Sequence, residues 1–426
     1  MKNKIETFIR GRSGFAKNLG LLSSSNLIAR VFSGLSQAII GRAVGVSLYG
    51  TFASSLALAR LLSIFFSFGL DLWLLRTSSA EEKQNIPRIN GLVLTWKLAS
   101  GPIWIGLLTL LATFLNQESY TTQVVFLCAV LVWLEEILRS TLFINEVNSG
   151  IKQAAILTIS TQAAIMIIVG LFNFYWGYTA VSLYLYAFII VHLFGCSVAI
   201  YFVKRQFGLD FKLNGIWAAL KEAAQYAAST ALAMTYGKID ITFVNNWLGN
   251  TASGQYGPAL GIAQAFSIIP NSANGILFKR FGAAFSGSTG YLRQEYRKVL
   301  LMMSGGGFAL ALLIAPFSAL IIRLLYGPDF AQSGRILLIL VFIIPLRFIA
   351  VTSGVLLTTV NWHTKRIYVQ IVTVVLNVVL NLWVIFMTSY GIFGIAFVYL
   401  FTEICLSIGY TLMAQTYFFT AVTQSK

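Results

Sequence analysis

Charge is scarce in this sequence. Of 426 residues only 10% are Asp, Glu, Lys or Arg, against about a quarter in ordinary soluble domains, and no long polar stretch interrupts the chain. That excludes a soluble domain. Cysteine is nearly absent too: Cys128, Cys196 and Cys405 all sit in apolar runs, which excludes a disulfide-stapled scaffold. There is no G-x-S-x-G, H-E-x-x-H, C-x-x-C or Walker-type G-x-x-x-x-G-K-[ST] motif, so hydrolase, zinc, redox and ATP-driven chemistry have no visible seat. The chain is expected not to be an enzyme, and to need no cofactor or metal. Acidic residues are also few, 14 against 30 Lys+Arg, for a formal charge of +16. In a soluble chain that excess would suggest nucleic acid. With so little polar surface it points to a membrane, and nucleic acid is excluded as a partner.

Hydrophobic residues are what is abundant: 57% of the chain, with a mean hydropathy of +0.78. A spanning helix needs about 20 predominantly apolar residues. That window predicts an all-α polytopic membrane protein with twelve spans, near 19–40, 51–75, 90–114, 121–144, 153–174, 180–203, 223–247, 256–278, 299–322, 335–360, 367–388 and 391–415. The basic lead Lys2, Lys4, Arg10, Arg12 and Lys17 precedes an apolar run too long for a signal peptide. With the N-terminus cytoplasmic, only Arg42, Arg323 and Arg335 fall outside, while Arg30, Arg60, Lys97, Lys238 and Arg347 fall within spans. The remaining Lys and Arg, with Arg76, Lys83 and Arg88 among them, lie on cytoplasmic segments. The positive-inside bias therefore predicts both termini in the cytoplasm, and Trp73, Trp96, Trp176, Trp217, Trp247, Trp362 and Trp383 near span ends suit interfacial anchors.

The polar break at 204–222 separates six spans from six and predicts lobes 1–212 and 213–426. Across it runs an echo, Gly45, Tyr49-Gly50 and Ser63-Ile64 against Gly249, Tyr256-Gly257 and Ser267-Ile268, as expected of a parallel internal repeat. The run Gly305-Gly306-Gly307 opens a span and suits close helix packing.

Polar groups inside the spans are ordered. Ser23, Asn26, Arg30, Ser33 and Gln37 recur every three or four residues, on one helical face. Arg60, Ser63, Ser67 and Asp71 form a second stripe; Thr235, Lys238, Thr242 and Asn245 a third, with Asp240 on another face of that span. Gln264, Ser267, Asn271 and Asn274, then Gln370, Thr373, Asn377 and Asn381, form two more; Arg347 and Glu403 add charges to the tenth and twelfth spans. Single Ser, Asn and Gln residues in spans also serve to join helices. Glu135, Glu136 and Arg139 are expected to pair locally, His192 to be a hydrogen-bonded core residue, and Glu118 and Asp329 are the acidic residues on short outside loops. A charge at mid-membrane costs at least about 2.5–3.5 kcal/mol. Arg30, Arg60, Lys238 and Arg347 have no acidic residue at i±3 or i±4, which makes them candidates for a cationic binding surface. Asn26, Gln37, Gln264, Asn271, Asn377 and Asn381 would line it. Asp240, Asp71 and Glu403 could carry a coupling ion.

The segment Asn26-Leu27-Ile28-Ala29-Arg30, followed by Gly41-Arg42-Ala43-Val44-Gly45-Val46-Ser47-Leu48-Tyr49-Gly50-Thr51-Phe52, resembles the opening of Wzx-type polysaccharide flippases. These belong to the multidrug/oligosaccharidyl-lipid/polysaccharide (MOP) exporter superfamily. Lys238-Ile239-Asp240, Leu248-Gly249, Gly254-Gln255-Tyr256-Gly257 and Ala259 are similar to the same family's seventh and eighth spans. The resemblance implies a two-lobed, V-shaped transporter around a central cavity. It would move an undecaprenyl-diphosphate-linked oligosaccharide of O-antigen or capsule type across the bacterial cytoplasmic membrane by alternating access. Membrane lipid, a polysaccharide polymerase and chain-length proteins are the implied partners. Arg30, Arg60, Lys238 and Asp240 are the residues that match motif positions; Arg347 is added from its depth. A drug or small-cation exporter of the same superfamily is the alternative, and a membrane polysaccharide polymerase a more distant one. The loop after the second span, Arg76-Thr77-Ser78-Ser79-Ala80, lacks the major-facilitator signature.

Overall fold

A computed structural model describes residues 2–80, 85–115, 120–148, 150–177 and 179–424. Glu81, Glu82, Lys83, Glu118 and Lys426 lie outside the described residues, as do the side chains of Lys2, Lys4, Arg10, Arg12, Lys17 and Arg76. Among those described, every regular element is a helix: α1 Lys2–Leu62, α2 Ile64–Ser67, α3 Leu70–Ala80, α4 Ile86–Phe114, α5 Thr122–Val147, α6 Ile151–Leu171, α7 Val181–Phe207, α8 Ile216–Phe243, α9 Asn250–Ala265, α10 Ile268–Ser272, α11 Asn274–Phe285, α12 Thr289–Ile314, α13 Ser318–Tyr326, α14 Ala331–Leu340, α15 Ile343–Thr359, α16 His363–Met387 and α17 Gly391–Gln424.

Each of the twelve expected spans coincides with one of these helices or a broken series of them. By length and composition alone, seven described helices could cross a membrane, and the bent pair Pro328–Leu340 and Ile343–Thr359 makes an eighth. One of the seven, Gly20–Ser67, is 48 residues long and carries the first expected span and the larger part of the second, whose end lies in α3. The expected spans outside that set are charged or broken. Glu135, Glu136 and Arg139 lie in α5, and the eighth span is divided into α9, α10 and α11.

The chain forms two compact units, Met1–Met234 and Thr235–Lys426. The expected division after Lys212 falls within the first, and the unit boundary lies inside α8. In the first unit Leu70, Leu92, Val93, Ile144 and Val203 pack one apolar cluster; Leu134, Ile137, Leu157 and Cys196 pack another. In the second, Ala311, Val341, Ile344 and Phe348 join α12 to α15 and to the turn that precedes it. A Cβ on Gly307 would come within 2.7 Å of the Pro345 Cα, so this glycine permits the α12–α15 contact, while Gly305 and Gly306 face open space. Many exposed side chains are large and apolar, among them Leu301, Leu312, Leu313, Phe386 and Phe397, as suits contact with lipid.

The internal echo has a conformational counterpart. Gly45 interrupts α1 at φ 78°, ψ 174°, and Gly249 precedes α9 at φ 86°, ψ 176°. Both values lie in a region closed to side-chain-bearing residues on steric grounds. The next helix then breaks at Ser63 ahead of α2 and at Ser267 ahead of α10. Tyr49 and Tyr256 are both fully buried.

Candidate functional site

In the first unit the stripe on α1 runs Asn26 and Arg30 exposed, then Ser33 and Gln37 half-buried. Gln37 is held by Ser33 and by the Tyr49 hydroxyl, each at 3.5 Å. Arg30 lies within electrostatic range of Arg60 and Glu135, yet makes no ion pair or side-chain hydrogen bond among the described residues. A polar face left uncovered within an apolar span is unsuited to lipid and suited to water or a polar ligand.

Arg60 differs from the expectation that it lacks an acidic partner. Its Nε and Nη2 donate to Glu135 Oε2 and Oε1 at 3.1 and 2.8 Å, a bidentate fork between α1 and α5. Glu135 is thus drawn away from the expected local pairing, although Glu136 and Arg139 do pair.

Deeper in the same unit lies a cluster that sequence reasoning missed. Lys97, completely buried, donates to Asp71 Oδ1 and Oδ2 at 2.9 and 3.0 Å, to Glu136 Oε2 at 3.3 Å and to Ser140 Oγ at 2.6 Å. Arg139 reaches Asp71 at 3.5 Å, and the Ser140 hydroxyl donates to Asp71. Two cations balance two anions across α3, α4 and α5, a neutral staple that desolvation alone would not permit in separate pieces. His192 binds the Phe188 carbonyl oxygen at 2.8 Å, the core role expected of it.

In the second unit the polar stripes of several helices converge on one buried network. Asn381 Nδ2 donates to Asp240 Oδ1 at 2.7 Å and to Asn377 Oδ1 at 3.1 Å. Asn377 Nδ2 reaches Thr402 Oγ1 at 3.4 Å, as does the Tyr236 hydroxyl at 3.3 Å. Gln264 donates to the Tyr399 hydroxyl at 3.2 Å and to the Gly237 carbonyl at 3.1 Å. Arg347 donates to the same hydroxyl at 3.0 Å, lies 5.3 Å from the centre of the Tyr236 ring and pairs with fully buried Glu403. Arg347, like Arg60, therefore has an acidic partner on another helix. Lys238 is half-buried and engaged by its surroundings. Asn271 is exposed and stands apart from the network.

The three acidic candidates separate on this geometry. Asp71 is held by Lys97 and Arg139, and Glu403 by Arg347. Asp240 is buried, bonded to a neutral amide, and its Oδ2 has no hydrogen-bond partner among the described residues. Tyr236 and Thr402 were missed as members of the network. Tyr399 lies four residues before Glu403, so the one available signal was that shared helical face.

Two solved structures share this fold closely. A multidrug-resistance MATE family transporter of the MOP superfamily, in an inward-facing conformation, superposes with a TM-score of 0.76 at 14% identity over 93% of this chain and 96% of that one. The lipid II flippase MurJ, in an inward closed conformation, gives 0.75 at 13% identity over 93% and 87%. A MOP superfamily transporter from Pyrococcus furiosus gives 0.61 at 15% identity over 95% and 96%. No curated protein sequence matches the chain. The fold is accordingly the all-helical, twelve-span fold of the MOP superfamily, in a multi-pass membrane protein. Within that class the chain belongs to the polysaccharide biosynthesis protein family, whose profile matches residues 15–285.

Proposed function

We propose that this protein is a flippase that carries an undecaprenyl-diphosphate-linked oligosaccharide repeat unit, of O-antigen or capsule type, across the bacterial cytoplasmic membrane without changing it chemically. The family supports a place in polysaccharide biosynthesis. The observation that carries the reading is Arg30, a cation on an uncovered polar stripe inside a span, without an ion-pair partner among the described residues. Its guanidinium fork suits the oxygens of a diphosphate, and Asn26 and Gln37 on the same face suit sugar hydroxyls. Each hydroxyl stranded in hydrocarbon would cost about 4–8 kcal/mol without a partner, so a polar-lined route lowers the barrier while the polyprenyl tail stays in lipid. Both termini are cytoplasmic in this reading, and a polymerase and chain-length proteins take over the product.

Arg60 in the first unit, and Lys238 and Arg347 in the second, are held side chains, their charges tempered by neighbours within their own unit. Asp240 is the candidate seat for a coupling proton or sodium ion, since it is buried and the hydrogen-bonding groups around it, Asn381, Asn377 and Tyr256, are neutral. The test is a chromosomal Arg30→Gln variant in the native host. Surface polysaccharide should disappear while lipid-linked repeat units accumulate and protein level is unchanged. Normal polysaccharide, or loss of drug resistance in its place, would overturn the reading, the latter in favour of an exporter.

A further inference from the structure

A cavity of about 580 Å³ opens in the second unit between α12 and α17, lined by Arg293, Tyr296, Arg297, Leu300, Thr416 and Phe419, with Gln415 and Phe418 completing it. That volume lies in the range of small-molecule sites. The proposed transport route uses none of these residues.

Its lining combines two cations with apolar walls. Arg293 and Arg297 are exposed and one helical turn apart, so they present their guanidiniums on one face. The nearest acid in sequence, Glu295, is turned to Arg280, whose Nε donates to it at 2.6 Å. Neither Arg293 nor Arg297 has an ion pair or hydrogen bond among the described residues. The Tyr296 hydroxyl is satisfied by Ser353 at 2.9 Å, so its ring offers the cavity an apolar wall. Beside the two arginines, Leu300, Phe418 and exposed Phe419 supply apolar walls, the Phe418 ring lying 5.8 Å from that of Tyr296. On α12 the polar segment 289–298 gives way at Val299 to the apolar span, so the two arginines lie at the level of a span end, where headgroup phosphates sit.

We propose that this cavity is a binding site for the phosphate headgroup of an anionic phospholipid, in the leaflet that meets the basic 279–298 segment. Two forks one turn apart match the free oxygens of a phosphodiester, and the adjoining phenylalanines receive the first acyl methylenes. A topology signal would need only the two charges; it would need neither the cavity nor its apolar walls. A bound headgroup would tie α12 to α17.

The test uses the full chain in phosphatidylcholine nanodiscs, titrated with phosphatidylglycerol and, separately, with inorganic phosphate, while the unfolding temperature and the retained lipid are read. Phosphatidylglycerol should raise the unfolding temperature saturably and inorganic phosphate should not. Arg293→Gln/Arg297→Gln should bind phosphatidylglycerol about 30-fold more weakly. Arg293→Lys/Arg297→Lys, which keeps the charge and loses the forks, should fall between that variant and the unmodified protein and stands in if the Gln pair does not fold. Lys204→Gln/Arg205→Gln, an equal charge change on exposed residues elsewhere, should bind normally. Equal stabilisation by inorganic phosphate would overturn the lipid assignment. Equal weakening by the Lys204/Arg205 pair would overturn the site.

Discussion

Arg30 and Arg60 illustrate how alike two residues can be in sequence and how different in place. Both sit in apolar runs with no acid at helical spacing. Yet Arg60 is forked onto Glu135, and Arg30 has no such partner among the described residues. Their variants should therefore diverge. Arg60→Ala leaves a half-buried carboxylate without its cation and should cost about 1–3 kcal/mol, read as a lowered unfolding temperature in detergent. Arg60→Gln/Glu135→Gln, which removes both charges, should regain most of that loss, and failure to regain it would mean the pair is not coupled. Arg347 and Glu403 should behave in the same way. The cations were legible in the sequence because charge is so rare in it. Their partners were not, because Arg60–Glu135, Lys97–Asp71 and Arg347–Glu403 join different helices, and helical spacing carries no information about a neighbouring helix. Lys97, counted among the cations within spans, was given no partner for the same reason, although it donates to Asp71, Glu136 and Ser140.

At the scale of elements, the spans were legible because an apolar run of about 20 residues has few alternatives, and the polar stripes because 3.6-residue periodicity places them on one face. Breaks were harder to read. The Tyr-Gly and Ser-Ile echo marked the right positions, but the reason is backbone conformation: a positive-φ glycine at Gly45 and Gly249, and a helix interruption at Ser63 and Ser267. Gly45→Ala and Gly249→Ala should each cost about 1–2 kcal/mol although space is open around both, because the penalty is conformational. Gly307→Ala should be destabilising for a different reason, its 2.7 Å approach to Pro345, while Gly306→Ala, with open space, should not. Thermal unfolding of the four variants checks both claims. If Gly306→Ala and Gly307→Ala cost the same, the packing account of the α12–α15 contact is wrong.

At the scale of the whole molecule, the proposed orientation assigns most of the +16 charge to cytoplasmic segments and leaves the proposed transport role to the few cations within spans. Topology is open to direct test: a reporter active only in the cytoplasm, fused after Lys426, should be active, and one active only outside should be silent. The opposite pattern would invert the proposed orientation. Length, composition and the twelve apolar runs were enough to anticipate the superfamily fold, whereas the chemistry of the second unit depends on a network that closes only when α8, α9, α15, α16 and α17 pack. The central claim is that Arg30 is a diphosphate-binding cation and not a structural one. It is tested most directly by reconstituting the purified protein in liposomes and measuring how fast a labelled polyprenyl-diphosphate oligosaccharide becomes accessible on the opposite leaflet. The account predicts that Arg30→Gln unfolds at the wild-type temperature and translocates about tenfold or more slowly, the loss of one charge-assisted contact, with Arg30→Lys in between. Translocation by Arg30→Gln at the wild-type rate would contradict it.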